Sequence, residues 1–131
     1  MLIQRSLIGG AMLLASAGCA TADWVQWSAD PQQKITFYYA PASIKRTGNF
    51  AQMSILIDFG SPMPEGGKLY SSLVEQDEYD CAATRQRVIQ ATWHADRMGR
   101  GEGTASPKKP SGWVEMSEDL EKRAWKLACR K

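Results

Sequence analysis

Residues 49–59, NFAQMSILIDF, decide the fold that this sequence predicts. Every second position in this stretch is apolar, namely Ala51, Met53, Ile55, Ile57 and Phe59. A period of two places all of these side chains on one face of a β-strand. The segment therefore predicts a half-buried strand that needs neighbouring strands and an element to cover its apolar face.

Further strand-like segments lie on both sides of this stretch. Residues 23–28 and 34–40 are rich in aromatic and β-branched residues and are separated by an Asp-Pro turn signal. Residues 68–81 alternate between polar and apolar side chains, and we interpret 84–95 as another strand, with a helix as the alternative. Residues 60–67 contain prolines and glycines and predict a loop.

The C-terminal segment has the spacing of a helix. Leu120, Ala124, Leu127 and Ala128 recur on one helical face. Ser117 is the predicted N-cap, with acidic residues in the first turn and basic residues near the end, as the helix dipole favours. The chain is thus predicted to consist of short strands followed by one helix.

The first 22 residues have the pattern of a secretory signal. One charge, Arg5, precedes an apolar run over residues 7–17, and small residues follow. Cleavage before Cys19, within SAGC, would leave a cysteine that carries acyl chains, whereas cleavage after Ala22 would release a soluble domain. We expect lipidation at Cys19 and a single exported domain over residues 23–131.

The charge balance and the cysteine count of the exported domain indicate which partners and which covalent links to expect. The chain has 16 Lys and Arg and 14 Asp and Glu residues, and removal of Arg5 with the signal leaves 15 against 14. This balance does not predict nucleic acid as a partner. Cys81 and Cys129 remain after processing, and two cysteines in an oxidising compartment predict one disulfide. The bridge would attach the helix to the sheet.

No residue set has the pattern of a catalytic or metal site. His94 is the only histidine, and it is accompanied neither by a nucleophile elbow nor by cysteines at zinc-ligand spacing. The acidic residues between 75 and 80 lack the spacing and the glycine of a calcium loop, so we expect a solvated strand face there. The sequence predicts a binding module without catalytic residues, metal or cofactor.

Basic residues gather toward the C-terminus and are the candidate binding residues. The cluster consists of Lys108, Lys109, Lys122, Arg123, Lys126, Arg130 and Lys131, and we select Lys108, Lys109, Lys122, Lys126 and Arg130 as the binding candidates. If the loop and the helix lie together, these side chains form a cationic patch for an acidic polysaccharide or a host protein. The alternative is an ordinary solvated helix face.

An ordered set of short motifs resembles the surface-adhesin protein E family. The motifs are Trp24, residues 38–44 (YYAPASI), 57–59 (IDF), 70–72 (YSS), 79–81 (YDC), Arg85, Arg87, 99–101, Trp113, Ser117 and 125–129. Ala40 and Ser54 depart from the family pattern, where an acidic residue and a tryptophan are usual. The set otherwise spans nearly the whole exported domain.

The resemblance implies a small α+β domain, an antiparallel sheet of about five to six strands crossed by a C-terminal helix. It also implies adhesion to host extracellular matrix proteins, and it allows a homodimer. With the signal, it places the protein in the outer membrane or the periplasm of a Gram-negative bacterium. The alternative function is a periplasmic structural or envelope-maintenance lipoprotein that has no host ligand.

Overall fold

The computed structural model describes residues 23–105 and 110–130. The signal segment with Cys19 lies outside these residues, as do Lys108 and Lys109 of the predicted basic patch. The elements are β1 (Val25–Asp30), β2 (Ile35–Tyr39), β3 (Lys45–Thr47), β4 (Phe50–Glu65), β5 (Lys68–Asp80), β6 (Arg85–His94), β7 (Gly103–Ala105), β8 (Val114–Glu115) and α1 (Asp119–Cys129).

All of the described strands belong to one antiparallel sheet, with α1 as the C-terminal helix. The order is β1-β2-β4-β5-β6-β7, with β3 beside β4 and β8 beside β6. This confirms an antiparallel sheet with a C-terminal helix and a strand, rather than a helix, at β6. The predicted count of five to six strands was wrong, because the described residues form eight. The additional β3, β7 and β8 have only two or three residues each and are too short to show a period.

The central hairpin is longer than the sequence predicts. The loop expected over residues 60–67 was wrong, because β4 continues to Glu65 and Glu65 pairs with Lys68. The pairing register breaks between Asp58 and Met63, and such an irregularity accommodates proline and glycine within a strand. Gly66 and Gly67 form the turn with φ of +58° and +82°, a backbone that glycine adopts without strain.

Helix α1 is short and crosses one end of the sheet. It has 11 residues, and its N-cap is Glu118, which makes no side-chain capping bond, so the predicted cap at Ser117 was wrong. Ala124 and Ala128 are buried against the sheet. The Cys81–Cys129 disulfide is present, with 5.7 Å between the Cα atoms, as the two cysteines predicted. No helix in the described ranges is long and apolar enough to cross a bilayer.

The sheet has two differently covered faces. Between the register break and the helix end of the sheet, the helix face carries the odd-numbered residues 51–59 of β4 and 73–79 of β5, and Met53, Ile55 and Tyr79 of this face are buried with residues of α1. The loop face carries the even-numbered residues, and the short turn over residues 97–99 covers its centre. Gly99 has φ of +71°, and a Cβ there would lie 3.1 Å from Val74 Cγ2, so the turn packs closely on the strands.

Candidate functional site: two concave regions on the helix face

The loop face buries an aspartate and supplies it with partners. Asp58 is 1% exposed, and its carboxylate accepts hydrogen bonds from Arg97 Nε and from the Met98 N–H, both at 2.8 Å. The hydrogen bond with Asp58 raises the pKa of Arg97. Ser72, opposite Asp58 on β5, accepts a bond from the Gly99 N–H and donates to the Asp96 carbonyl. These contacts fix the turn to the sheet.

Two more ion pairs lie on the same side of β5. Arg85 donates to Asp80 at 2.6 Å and Arg87 donates to Glu78 at 2.8 Å, and both guanidinium groups lie over the Trp113 ring. The hydrogen bond from Arg85 lowers the pKa of Asp80. All three ion pairs of the described residues thus involve even-numbered acidic residues of β4 or β5. Each of these three acidic side chains on the loop face is paired with an arginine.

Among the described residues, no lysine or arginine forms an ion pair with the acidic residues on the helix face of β5. Glu75 and Asp77 share their face of β5 with Tyr79, and Asp77 is 3% exposed, so the solvated strand face expected there was wrong. Tyr79 donates to Asp77 Oδ2 at 3.4 Å, while no described group donates to Oδ1. Burial raises the pKa of both carboxyl groups, and the charge of Glu75 raises that of Asp77 further. The pair therefore favours holding a proton.

A cavity of about 190 Å³ adjoins this carboxyl pair, and we call it the acidic cavity. It is lined by Trp27, Phe37, Ile55, Ile57, Glu75, Asp77, Tyr79, Gln86, Leu120, Glu121 and Ala124. The described lining includes three carboxyl groups and no lysine or arginine. Its remaining walls are mostly apolar.

A larger concavity lies on the other side of Trp27, and we call it the basic groove. Its volume is about 530 Å³, and it is lined by Trp27, Tyr39, Ile44, Arg123, Lys126, Leu127 and Arg130. Arg123 and Lys126 share one side of α1 because they are three residues apart, and Arg130 follows the helix as its C-cap with φ of +55°. Arg123 lies over the Trp27 ring at 5.9 Å and donates to Ser28 Oγ at 3.1 Å. The groove combines cationic side chains with an aromatic floor.

The structure divides the predicted basic patch. Lys126 and Arg130 line the groove together, whereas Lys122 is exposed on α1 but is not part of the groove lining. The sequence analysis counted Arg123 in the basic cluster but did not select it, although its helical spacing to Lys126 was the available signal. The contribution of Trp27 had no such signal, because it depends on the packing of β1 beside α1.

The lone histidine makes a local contact. His94 Nδ1 lies 3.3 Å from the Gly101 carbonyl oxygen, in the connection between β6 and β7. In the part of the chain that the structure describes, no three potential ligands among histidine, cysteine, aspartate and glutamate are arranged to hold a metal ion. The concavities described above on the helix face are thus one lined by basic side chains and one lined by carboxyl groups.

Comparisons with known proteins agree with this architecture. The model of the surface-adhesin protein E family matches residues 24–130. The crystal structure of protein E from non-typeable Haemophilus influenzae is similar, with a TM-score of 0.62 and 14% identity, over 89% of this chain and 82% of that chain. A second crystal form of Haemophilus influenzae protein E gives a TM-score of 0.64 and 13% identity, over 92% and 97%. No curated protein sequence gave a significant match. The chain belongs to the surface-adhesin protein E family.

Proposed function

We propose that this protein is an exported surface adhesin that binds a host extracellular matrix protein or an acidic polysaccharide through the basic groove. The observation that carries the proposal is the convergence of Arg123, Lys126 and Arg130 around Trp27 and Tyr39. Family membership supports the adhesive role, and the groove supports an anionic contact. The catalytic patterns that we sought in the sequence are absent or incomplete, which supports binding rather than catalysis.

The chemistry of the groove suits sulfate or carboxylate groups on a larger ligand. Arginine presents a planar fork that matches such anions, and a lysine adds a flexible point charge. All three basic residues are exposed, so an anion can reach them without a rearrangement of the protein. The apolar floor between them contacts the body of the ligand, which makes the groove more selective than a charge cluster alone.

A pair of charge reversals tests the groove against the rest of the helix. The double variant Lys126→Glu/Arg130→Glu is expected to lose retention on immobilised heparin and on a matrix-protein surface. Lys122→Glu in the same helix is the matched control and is expected to keep most of the binding, because its side chain is outside the groove. Binding should also weaken as salt rises, since exposed charges are screened within about 10 Å at 0.1 M. Equal loss in both variants would contradict a groove-specific contact.

We also propose that Cys19 carries a lipid anchor, which would hold the domain at the outer membrane. The support is the SAGC sequence after the apolar run. Cys19→Ala is expected to move the protein out of the membrane fraction, and protease added to intact cells is expected to degrade the wild-type domain. Complete protection on intact cells, together with no binding to any matrix component, would favour a periplasmic envelope protein instead.

A further inference from the structure

The acidic cavity contains a buried carboxyl oxygen that no basic side chain and no backbone N–H of the described residues satisfies. Asp77 is 3% exposed, its side chain lines the cavity, and its Oδ1 has no described hydrogen-bond partner. Burying two neighbouring negative charges is costly, so the pair relieves the cost by sharing a proton, and a bound cation would relieve it as well. The partnered Asp58 on the opposite face shows that this fold can supply a guanidinium group to a buried aspartate. The lack of a described cationic partner for Asp77 is therefore specific to this cavity and is not imposed by the fold.

The geometry points to the acidic cavity as a binding site for an alkylammonium group, which we propose as a second recognition site of this protein. An ammonium group has three donors and a positive charge, and it can donate to Asp77 Oδ1 and to the adjacent Glu75 carboxylate at once. It would replace the proton that the carboxyl pair otherwise holds. This site has the opposite charge preference to the basic groove and shares only Trp27 with it.

The walls of the cavity fit the rest of such a ligand. Phe37, Ile57 and Leu120 offer apolar contacts for a methylene chain, and aromatic rings nearby favour a cation. The volume of about 190 Å³ is below the roughly 300 Å³ of sites for drug-sized molecules, so it suits a single unbranched chain. The same chemical group ends a lysine side chain of a partner protein and a free polyamine.

None of the other titratable groups in the described lining around Glu75 and Asp77 carries a positive charge that would repel a bound cation. Glu121 of α1 lines the cavity and adds a negative charge, and Tyr79 of β5 has a pKa raised by burial, which keeps its phenol neutral. Gln86 of β6 is uncharged. Every charged group that faces the pair in the described lining therefore favours a cation.

Titration with cadaverine, monitored by the Trp27 indole N–H resonance in NMR spectra, tests the proposal. We expect saturable shifts with cadaverine and with an end-blocked peptide containing one lysine, and binding at least about tenfold weaker for the neutral chain analogue 1-pentanol. A stronger response to the peptide would identify a lysine side chain as the source, and a stronger response to cadaverine a free polyamine. Binding should strengthen between about pH 5 and pH 8, because protons and ammonium compete for one carboxyl pair.

Asp77→Asn is the decisive variant because it keeps the shape and the acceptor for Tyr79 but removes the charge. We expect it to weaken cadaverine binding at least about tenfold while circular dichroism shows the fold unchanged. Glu75→Gln provides a second test at the more accessible carboxyl group. Equal binding of 1-pentanol, unaltered cadaverine binding in both variants, or no response at Trp27 would overturn the proposal and leave water as the occupant.

Discussion

The two faces of the central strands treat buried carboxyl groups in opposite ways. On the loop face, Asp58 accepts hydrogen bonds from Arg97 and from a backbone N–H. On the helix face, Asp77 is similarly buried but adjoins another acid, and one of its oxygens has no described partner. Both aspartates lie on neighbouring strands of one hairpin, so their difference arises from what covers each face.

The polar groups of the loop face stabilise the fold, whereas those of the helix face remain available to a ligand. The described ion pairs involve residues on the loop-face side of β4 and β5, where they attach the turn and the β5–β6 connection to the sheet. The helix face instead keeps its cations exposed on α1 and its carboxyl pair in a cavity. We therefore expect substitutions on the loop face to change stability and substitutions on the helix face to change binding.

The disulfide is the exception on the helix face, and its loss should have the largest effect on stability. Replacing Cys81 and Cys129 together by alanine frees a loop with a sequence separation of 48 residues. Loop-closure entropy predicts a loss of about 4 kcal/mol in the free energy of unfolding. Urea unfolding of the double variant measures this loss. A change below about 1 kcal/mol would show that packing alone holds α1 on the sheet.

Removal of Arg97 should leave Asp58, like Asp77, without a cationic partner among the described residues. Arg97→Ala leaves a fully buried carboxylate with the Met98 N–H as its remaining described donor, and we expect a loss of about 3 kcal/mol in unfolding free energy. Chemical denaturation at neutral pH measures it. Arg100→Ala is the matched control, since it removes the same charge beside the same turn from an exposed side chain. Similar losses in both variants would show that the Asp58 contact contributes little.

Asp77→Asn should change the free energy of unfolding less than Arg97→Ala does, and it should raise it. The folded-state pKa of Asp77 is raised above its unfolded value, so folding favours the protonated form. The resulting destabilisation is absent below the unfolded pKa of about 4, grows between that value and the folded-state pKa, and stays constant above it. We expect the variant to gain about 1 kcal/mol over wild type at high pH and little at pH 3, measured by denaturation across pH.

Asp80 provides the contrasting pH test on the other face. Its pKa is lowered, chiefly by the hydrogen bond from Arg85, so its carboxylate stabilises the fold above the unfolded pKa. Asp80→Asn should therefore lose stability at neutral pH, and the difference from wild type should shrink as the pH falls through the folded-state pKa. The same pH trend in the Asp77 and Asp80 variants would contradict the comparison of the two faces.

Most of the fold could be predicted from the sequence, but only part of the basic groove and of the acidic cavity could. Alternation over residues 51–59 predicted the central strand, and helical spacing predicted α1 and could have grouped Arg123 with Lys126 and Arg130. Spacing of two residues could also have placed Glu75 and Asp77 on the same strand face as Tyr79, although we expected a solvated face there. Sequence could not show that α1 would cover this face, because that depends on packing between distant segments.

The hairpin extension and the short edge strands could not be predicted for a different reason. Residues 60–65 contain two prolines and a glycine, which ordinarily end a strand, but the register break before Met63 lets pairing resume. Strands of two or three residues form only because a longer neighbour offers free backbone groups. Trp27 likewise became a site residue only when β1 packed beside the helix, which no local pattern encodes.

The central claim is that the helix face is the binding face of this protein. NMR mapping of amide and indole resonances during titration with a sulfated heparin oligosaccharide tests it most directly. The account predicts that the Trp27 indole N–H and the amides near Arg123, Lys126 and Arg130 shift in a saturable manner, while those of Ser72, Met98 and Gly99 do not. Shifts confined to the loop face, or no shifts at all at low salt, would contradict it.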